Sequence, residues 1–146
     1  MNIRNMTLDD YDGIYDLWIH TPGMGLNNLD DSREGIEKYL KRNPNTCFIS
    51  EENGKIIGVI LSGHDGRRGY IHHTAVALKE RNRGIATALV KYAMEALKME
   101  GINKVALVAF TKNETGNSFW EKQGFTIRDD LTYRNKNINE MVRMDT

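Results

Sequence analysis

Three stretches of the chain carry apolar residues at the three- and four-residue spacing of an amphipathic helix. Their apolar positions are Tyr11, Ile14, Leu17 and Trp18, then Ile36, Tyr39 and Leu40, and then Ile85, Ala86, Leu89, Ala93 and Leu97. A shorter helix is predicted from about residue 115 to residue 123. Short turns and strand-like segments separate the four helices along the chain.

Residues at the ends of these stretches predict where the helices begin and end. Thr7, with Asp10 three residues later, is placed to cap the first helix, and Asp31 with Glu34 predicts the start of the second. Proline cannot continue a helix, so the run Asn43-Pro44-Asn45 ends the second one. The third helix is predicted from about Asn82 to Glu100, because Gly101 is a typical residue after a helix end.

Strand-like segments fill most of the chain between the helices. They are predicted at residues 2–6, 46–50, 55–63, 70–77 and 104–110, with further strands from Phe125 through Leu131 and Tyr133 and at 141–144. Asn53-Gly54 is a strong hairpin signal, and Asp65 to Gly69 forms a second turn. The nearly continuous apolar run at 104–110 is typical of a strand buried on both faces.

The order of these elements predicts the fold class. Two turns join three successive antiparallel strands, and the third helix connects two strands by a right-handed crossover, which makes that pair parallel. The pattern predicts an α/β fold (α+β by some schemes), with a mixed, mostly antiparallel central sheet flanked by helices on both faces. Without repeats or linkers, the 146 residues are expected to form a single domain, 1–146.

Composition narrows the function classes. Lys and Arg together number 20, as do Asp and Glu, so the formal charge is zero and a nucleic-acid partner is not expected. No apolar run approaches the roughly 20 residues that span a bilayer, and residues 1–6 lack a signal-peptide core. Cys47 is the only cysteine and lies in an apolar run, which predicts a buried structural thiol. Together these features favour a cytoplasmic protein without a membrane partner.

The turn Arg81-Asn82-Arg83-Gly84-Ile85-Ala86 carries the clearest candidate chemistry. It follows the strand end Thr74-Ala75-Val76 and opens the third helix. A helix N-terminus exposes unpaired N–H groups and partial positive charge, so it is a natural seat for a phosphate or pyrophosphate. Gly84 lets a ligand approach the backbone closely, and arginine matches phosphate oxygens in geometry. No metal-binding signature occurs, since HExxH and paired cysteines are both absent.

Two motifs make the chain resemble one known family over nearly its whole length. The turn Arg81 to Ala86 matches R/Q-x-x-G-x-G/A, and the segment Asn113 to Phe125 resembles N-x-x-A-x-x-L-Y-x-x-x-G-F, with Gly116 in place of the alanine and Trp120 in place of the tyrosine. Both are signatures of the GNAT superfamily of N-acetyltransferases, and they occur here in the order and separation usual for that family. The resemblance implies acetyl-CoA as the acyl-donor cosubstrate, an amine as acceptor, and either a monomer or a homodimer.

The resemblance also implies roles for individual residues. The N–H of Val76 would meet the thioester carbonyl, which is sensible because such a donor stabilises a developing oxyanion. The implied cofactor-binding residues are Thr74, Ala75, Val76, Arg81, Asn82, Arg83, Gly84, Ile85, Ala86, Thr87, Asn113 and Trp120. Trp120 stands where the family often has a tyrosine that protonates the leaving thiolate. Tyr133 is a candidate for the missing hydroxyl, and protonation by water is the alternative.

Histidines supply the candidate general base. His72 lies four residues before Val76, where family members often place a carboxylate, and neutral imidazole can accept a proton near physiological pH. His73 follows directly, and because adjacent strand residues face opposite sides, only one of the pair is expected in the cleft. His64 is a lesser candidate, and His20 is expected to be a surface or capping group at a helix end.

These features predict an enzyme that moves an acetyl group directly from acetyl-CoA to a primary amine of a small molecule or peptide. Nothing in the sequence indicates a covalent enzyme intermediate. The alternative is a catalytically weak acyl-CoA-binding or sensing module, and Trp120 in place of tyrosine keeps it open. Transfer to an amine separates the two hypotheses, because a sensing module binds acetyl-CoA without releasing its thiol.

Overall fold

The computed structural model describes residues 1–144, and their strands form one five-stranded sheet in the order β1-β2-β3-β4-β5. The strands are β1 (Asn2–Asn5), β2 (Phe48–Glu52), β3 (Lys55–His64), β4 (Gly69–Val76) and β5 (Val105–Ala106). Pairing is antiparallel from β1 to β4 and parallel between β4 and β5. The predicted fold class, a mixed and mostly antiparallel sheet, is confirmed.

The two predicted turns between the central strands are present. Asn53 and Gly54 both have left-handed backbone conformations, with φ of 53° and 74°, as a two-residue hairpin turn of this kind requires. In the next turn, one carboxylate oxygen of Asp65 accepts the N–H groups of Arg67 and Arg68, both at 2.8 Å. Residues within each turn therefore determine how β2 joins β3 and how β3 joins β4.

Four helices cover the sheet: α1 (Tyr11–Ile19), α2 (Arg33–Arg42), α3 (Ile85–Met99) and α4 (Glu114–Lys122). The expected start of α2 at Asp31 is wrong, because the hydroxyl of Ser32 caps this helix by accepting the N–H of Gly35 at 3.0 Å. The predicted stop after residue 42 is confirmed. Helix α3 begins at Ile85 rather than at Asn82, since Asn82 and Gly84 have positive φ angles that a helix excludes.

Each face of the sheet carries its own apolar core. Helices α1 and α2 pack on one face, where the buried side chains include Ile14, Trp18, Ile36, Ile49, Val59 and Ala75. Helices α3 and α4 pack on the other, against a group that includes Phe48, Ile60, Ile71, Val76, Leu89 and Ala93. The alternation of side chains along the strands divides the apolar residues between the two cores.

The C-terminal third departs most from the sequence-based expectation. The strand predicted at 104–110 reduces to β5, and its residues alternate between half-buried and exposed instead of being buried on both faces. Within residues 1–144 the segments predicted as last strands form one isolated bridge, Asn27 to Arg143, and no regular strand. With only two residues in β5, this edge of the sheet gives later segments little backbone to pair with.

Candidate active site

The turn before α3 has a backbone conformation suited to an anion. Asn82 and Gly84 are left-handed, with φ of 64° and 78°, and helix α3 starts at the next residue, Ile85. Residues 81–84 are exposed, and a Cβ added to Gly84 would meet nothing within 4 Å. Left-handed turns that lead into a helix direct successive N–H groups into one concavity, which binds anions. The turn is therefore open to a phosphate-bearing ligand.

The two arginines of this turn have different surroundings. Arg83 bonds to Glu52 at the end of β2, with 2.9 Å between Nη2 and Oε2, and also to Glu80. These carboxylates tie the turn to the hairpin next to it and offset the positive charge of Arg83. Arg81 is exposed, and among the ion pairs of residues 1–144 it takes part in none. Of the two, Arg81 is the better placed to meet a phosphate.

Strand β4 leaves part of one edge uncovered next to this turn. Its pairing with β5 involves only Gly69 and Tyr70, so residues 71–76 have no β5 partner in the described part of the chain. On the β3 side, the N–H of Ala77 donates to the carbonyl of Ile57 at 2.9 Å. Successive N–H groups of a strand point to opposite edges, and the N–H of Val76 therefore points to the uncovered edge.

A β-bulge interrupts β4 between its two ends. Val59 pairs with Ala75 but Leu61 pairs with His72, so β4 contains one more residue than β3 over this interval. His73, with φ of 36°, occupies the left-handed region that lets the strand absorb the extra residue. The rings of His72 and His73 are 6.2 Å apart. The expectation that the two histidines face opposite sides is wrong, because the bulge breaks the alternation.

His72 lies among aromatic rings. Its imidazole centre is 4.5 Å from the ring of Tyr70 and 5.8 Å from that of Tyr39 on α2. Although part of the residue remains exposed, desolvation by these neighbours, and secondarily the nearby His73, lowers the pKa of His72 to about 4. At neutral pH His72 is therefore uncharged and a weak proton acceptor.

His73 is held by two contacts on the face of α1 and α2. Its Nε2 is 2.7 Å from Oδ1 of Asp31, and its carbonyl accepts the indole N–H of Trp18 at 3.3 Å. Asp31 is only 3% exposed and Trp18 is fully buried. Trp18 thus packs in the core, as expected, and also anchors the bulge. The contact of Asp31 was missed because Asp31 and Ser32 are both good capping residues, and Ser32 takes that role.

Comparison with known proteins identifies the family. A model described as the acetyltransferase (GNAT) family matches residues 11–125. The chain belongs to the GNAT family. An acetyltransferase of Pectobacterium atrosepticum is 29% identical to it over 140 residues, which cover 96% of this chain and 98% of that protein. This relative is named an acetyltransferase, and the match covers nearly the whole length of both proteins.

Solved structures with the GNAT fold align well with this one. Ard1 from Thermoplasma volcanium gives a TM-score of 0.77 at 20% identity, covering 87% of this chain and 83% of that one. A predicted acetyltransferase from Clostridium acetobutylicum, crystallised with acetyl-CoA, gives 0.67 at 22% identity, covering 92% and 95%. At this level of identity the likeness establishes the fold.

Helix α4 carries the second GNAT motif. The side-chain oxygen of Asn113 accepts the N–H of Gly116 at 3.0 Å, so Asn113 caps α4. A Cβ at Gly116 would lie 2.5 Å from Nδ2 of Asn113, and the glycine therefore leaves room for this capping conformation. Trp120 is half-buried between Phe119 and Phe125, with ring centres 5.0 and 5.3 Å away. Trp120 packs against the core cluster of α3, in keeping with a packing role.

The three remaining candidate residues, Tyr133, His64 and His20, differ in their exposure and contacts. Tyr133 is 66% exposed and adjoins Tyr70, whose pKa is raised by desolvation and then by Tyr133. His64 is paired with Glu100 at 2.7 Å, near the far end of α3. His20 is exposed at the end of α1, with Nδ1 2.7 Å from the carbonyl of Asp16, as expected of a capping group.

Three further findings concern the cysteine, possible metal ligands and the helices of this GNAT protein. Cys47 is fully buried, and desolvation raises the pKa of its thiol to about 12, which makes it inert as a nucleophile. Across residues 1–144, His, Cys, Asp and Glu side chains form no group of three that could hold a metal ion. In the same residues every helix is too short or too polar to cross a bilayer.

Proposed function

We propose that the protein is an acetyl-CoA-dependent N-acetyltransferase that moves the acetyl group directly to a primary amine of a small molecule or peptide. The observation that carries the proposal is the open, left-handed turn from Arg81 to Gly84 beside the uncovered edge of β4. An anion seat and a row of free backbone donors side by side suit a ligand with a pyrophosphate at one end and a thioester at the other.

The residues of the turn and of β4 fit acetyl-CoA in this arrangement. The N–H groups of Ile85, Ala86 and Thr87 belong to the first turn of α3, where helical partners are missing, and they would face the pyrophosphate together with Gly84. Ile85 is buried, so only its backbone is available. Arg81 would add charge, while Arg83 and Asn82 shape the turn.

The acyl end would lie along the end of β4. Val76 would donate its N–H to the thioester carbonyl, with Thr74 and Ala75 forming the adjoining strand edge. Asn113 and Trp120 would border the arm between the two ends. The cosubstrate supplies an activated acetyl group, and the protein must orient it, accept a proton from the amine and exclude water. His72 and Tyr133 remain the acid–base candidates that the sequence indicates.

We further propose a single domain over residues 1–146, cytoplasmic and able to form a homodimer. The last two residues lie outside the part of the chain that the structure describes. Support for the dimer comes from large apolar side chains that are exposed near the C-terminus: Ile127, Leu131, Ile138 and Val142. Light scattering during size-exclusion chromatography tests it, because a monomer mass would contradict the proposal.

Thiol release from acetyl-CoA tests the function directly. The purified protein is assayed with a panel of amines, amino acids and short peptides, and mass spectrometry detects the acetylated product. Arg81→Gln should raise the KM for acetyl-CoA about tenfold, since charged hydrogen bonds contribute about 1.5–3 kcal/mol. Arg67→Gln, which removes an exposed arginine from the turn between β3 and β4, is the matched control and should leave the KM unchanged.

Each outcome of this assay has a clear meaning. Release that depends on one class of amine supports the transferase and names its acceptor class. If no amine gives release above background while calorimetry shows acetyl-CoA binding, the protein is instead a CoA-binding or sensing module. If acetyl-CoA does not bind at all, both hypotheses fail.

A further inference from the structure

Asp31 is a buried carboxylate whose three contacts hold it in one position. Its Oδ1 faces Nε2 of His73 at 2.7 Å, and its Oδ2 accepts the N–H of Asn27 at 2.8 Å. Its carbonyl accepts the hydroxyl of Tyr11, also at 2.7 Å. Burying a carboxylate that is only 3% exposed costs free energy unless the carboxylate is paired, so Asp31 requires a hydrogen-bonding partner. That partner is the imidazole of His73.

His73 itself adopts an unusual backbone conformation. Its φ of 36° lies in the left-handed region, which is uncommon for residues other than glycine, although histidine, asparagine and aspartate are enriched there. Trp18 stabilises this conformation through its bond to the His73 carbonyl. Strain of this type persists only where the surroundings impose it, and it is concentrated at functional sites. The bulge therefore directs the imidazole of His73 toward the face of α1 and α2, where the ring meets Asp31.

The hydrogen bonds of the ring determine which nitrogen is available. A carboxylate can only accept a hydrogen bond, so Asp31 selects the tautomer of His73 with hydrogen on Nε2 and a lone pair on Nδ1. In the described part of the chain no protein group bonds to Nδ1, and the side chain keeps 17% of its surface exposed. His73 is also three residues before Val76, on the strand whose edge is uncovered.

We propose that His73 is the general base of the transfer reaction and that Asp31 is its positioning residue. This inference rests on the proposed function. One proton of the acceptor ammonium passes to Nδ1, and the freed lone pair attacks the thioester carbonyl carbon. The C–S bond breaks and sulfur takes its electron pair, after which the second amine proton passes to the thiolate. His73 returns its proton to solvent, so one proton is released per acetyl group transferred.

Hydrogen bonding favours His73 over His72 as the base. Nε2 of His73 is fixed by the carboxylate of Asp31 at 2.7 Å, whereas the more exposed imidazole of His72 lies against the rings of Tyr70 and Tyr39. The carboxylates of Asp30 and Asp31 both act on His72 through their charge, and Asp31 bonds directly to His73.

The decisive kinetic test replaces His73 with glycine. Glycine adopts a positive φ without strain, so His73→Gly should keep the bulge and the fold while removing the imidazole. We expect kcat/KM for the amine to fall about 100-fold, which is typical of a lost general base, with acetyl-CoA affinity unchanged by calorimetry. Added imidazole should restore part of the rate. His20→Gln, which removes an exposed histidine at the end of α1, is the matched control and should leave kcat/KM unchanged.

A second measurement uses the protein without acetyl-CoA or amine. Nitrogen NMR of the neutral imidazole should show His73 with its proton on Nε2. In Asp31→Asn the side-chain amide can donate as well as accept a hydrogen bond, so the preference for this tautomer should weaken. The kcat/KM for the amine should fall in the same variant, with acetyl-CoA affinity unchanged.

These results separate this inference from the proposed function. If the wild type transfers acetyl groups but His73→Gly keeps its rate, the inference is overturned and the proposed function stands. A large loss in His72→Gln with little change in His73→Gly would assign the base to His72. If Asp31→Asn leaves the NMR tautomer of His73 unchanged, Asp31 has no positioning role. A wild type that transfers to no amine refutes the proposed function itself.

Discussion

Two glycines at opposite ends of α3 allow the anion seat to be tested against a matched control. Gly84 precedes the helix with φ of 78°, and Gly101 follows it with φ of 81°. At both positions an added Cβ would meet nothing within 4 Å. The two sites are separated by the length of the helix, about 22 Å at 1.5 Å per residue. Alanine should therefore strain the backbone equally at each, although only Gly84 adjoins the proposed ligand.

The expected loss of stability follows from the backbone alone. A left-handed conformation costs an ordinary residue about 1–2 kcal/mol, and the lower chain entropy of the unfolded alanine variant offsets about 0.4–1 kcal/mol of this. The net loss is about 1 kcal/mol, which lowers Tm by about 3–4 °C in a domain of this size. Gly84→Ala and Gly101→Ala should show the same decrease in differential scanning calorimetry.

Acetyl-CoA affinity should separate the two variants. A methyl group on Gly84 projects into the open space of the turn and keeps a phosphate from its N–H groups. Losing one charged hydrogen bond costs about 1.5–3 kcal/mol, so Kd should rise at least tenfold in isothermal titration calorimetry. Gly101→Ala should bind as the wild type does. Equal affinities in the two variants would show that the pyrophosphate does not bind at this turn.

Three further predictions concern single side chains. Asn113→Ala should lower the free energy of urea unfolding by about 1 kcal/mol through loss of the α4 cap, whereas Asn113→Asp keeps the accepting oxygen and should not. The carboxyl of Asp10 is desolvated, but hydrogen bonds from Arg4 and Thr7 outweigh this and lower its pKa. Its contribution to stability is thus complete above about pH 4 and is lost at lower pH, and Asp10→Asn should flatten the unfolding free energy there. Cys47 should react with a thiol reagent only after unfolding, and fast labelling of the folded protein would contradict its burial.

The parts of the fold that the sequence predicted are those determined by neighbouring residues. Asn53-Gly54 forms its turn because both residues tolerate a left-handed backbone, whatever the rest of the chain does. The apolar spacing of the helices likewise depends on residues within a few positions of each other. The same holds for the residues of the anion-binding turn, although the start of α3 was placed three residues early.

The features that were missed depend on contacts between distant parts of the chain. The partner of Asp31 is 42 residues away in sequence, and nothing local distinguishes Asp31 from Ser32 as a helix cap. The bulge in β4 follows from the register with β3, which becomes visible only once the strands are paired. In β5, apolar composition suggested complete burial, but burial also depends on whether neighbouring strands cover the segment.

The bulge also divides β4 into two halves, because it shifts the alternation of side chains between the two faces of the sheet. Residues before it and residues after it alternate in opposite phase, so each half presents side chains to a given face independently of the other. Deleting Thr74 would restore a single phase, leave His72 opposite Leu61, and turn His73 toward the α3 face. Both histidines can therefore lie on the face of α1 and α2 because β4 is one residue longer than β3 over this interval.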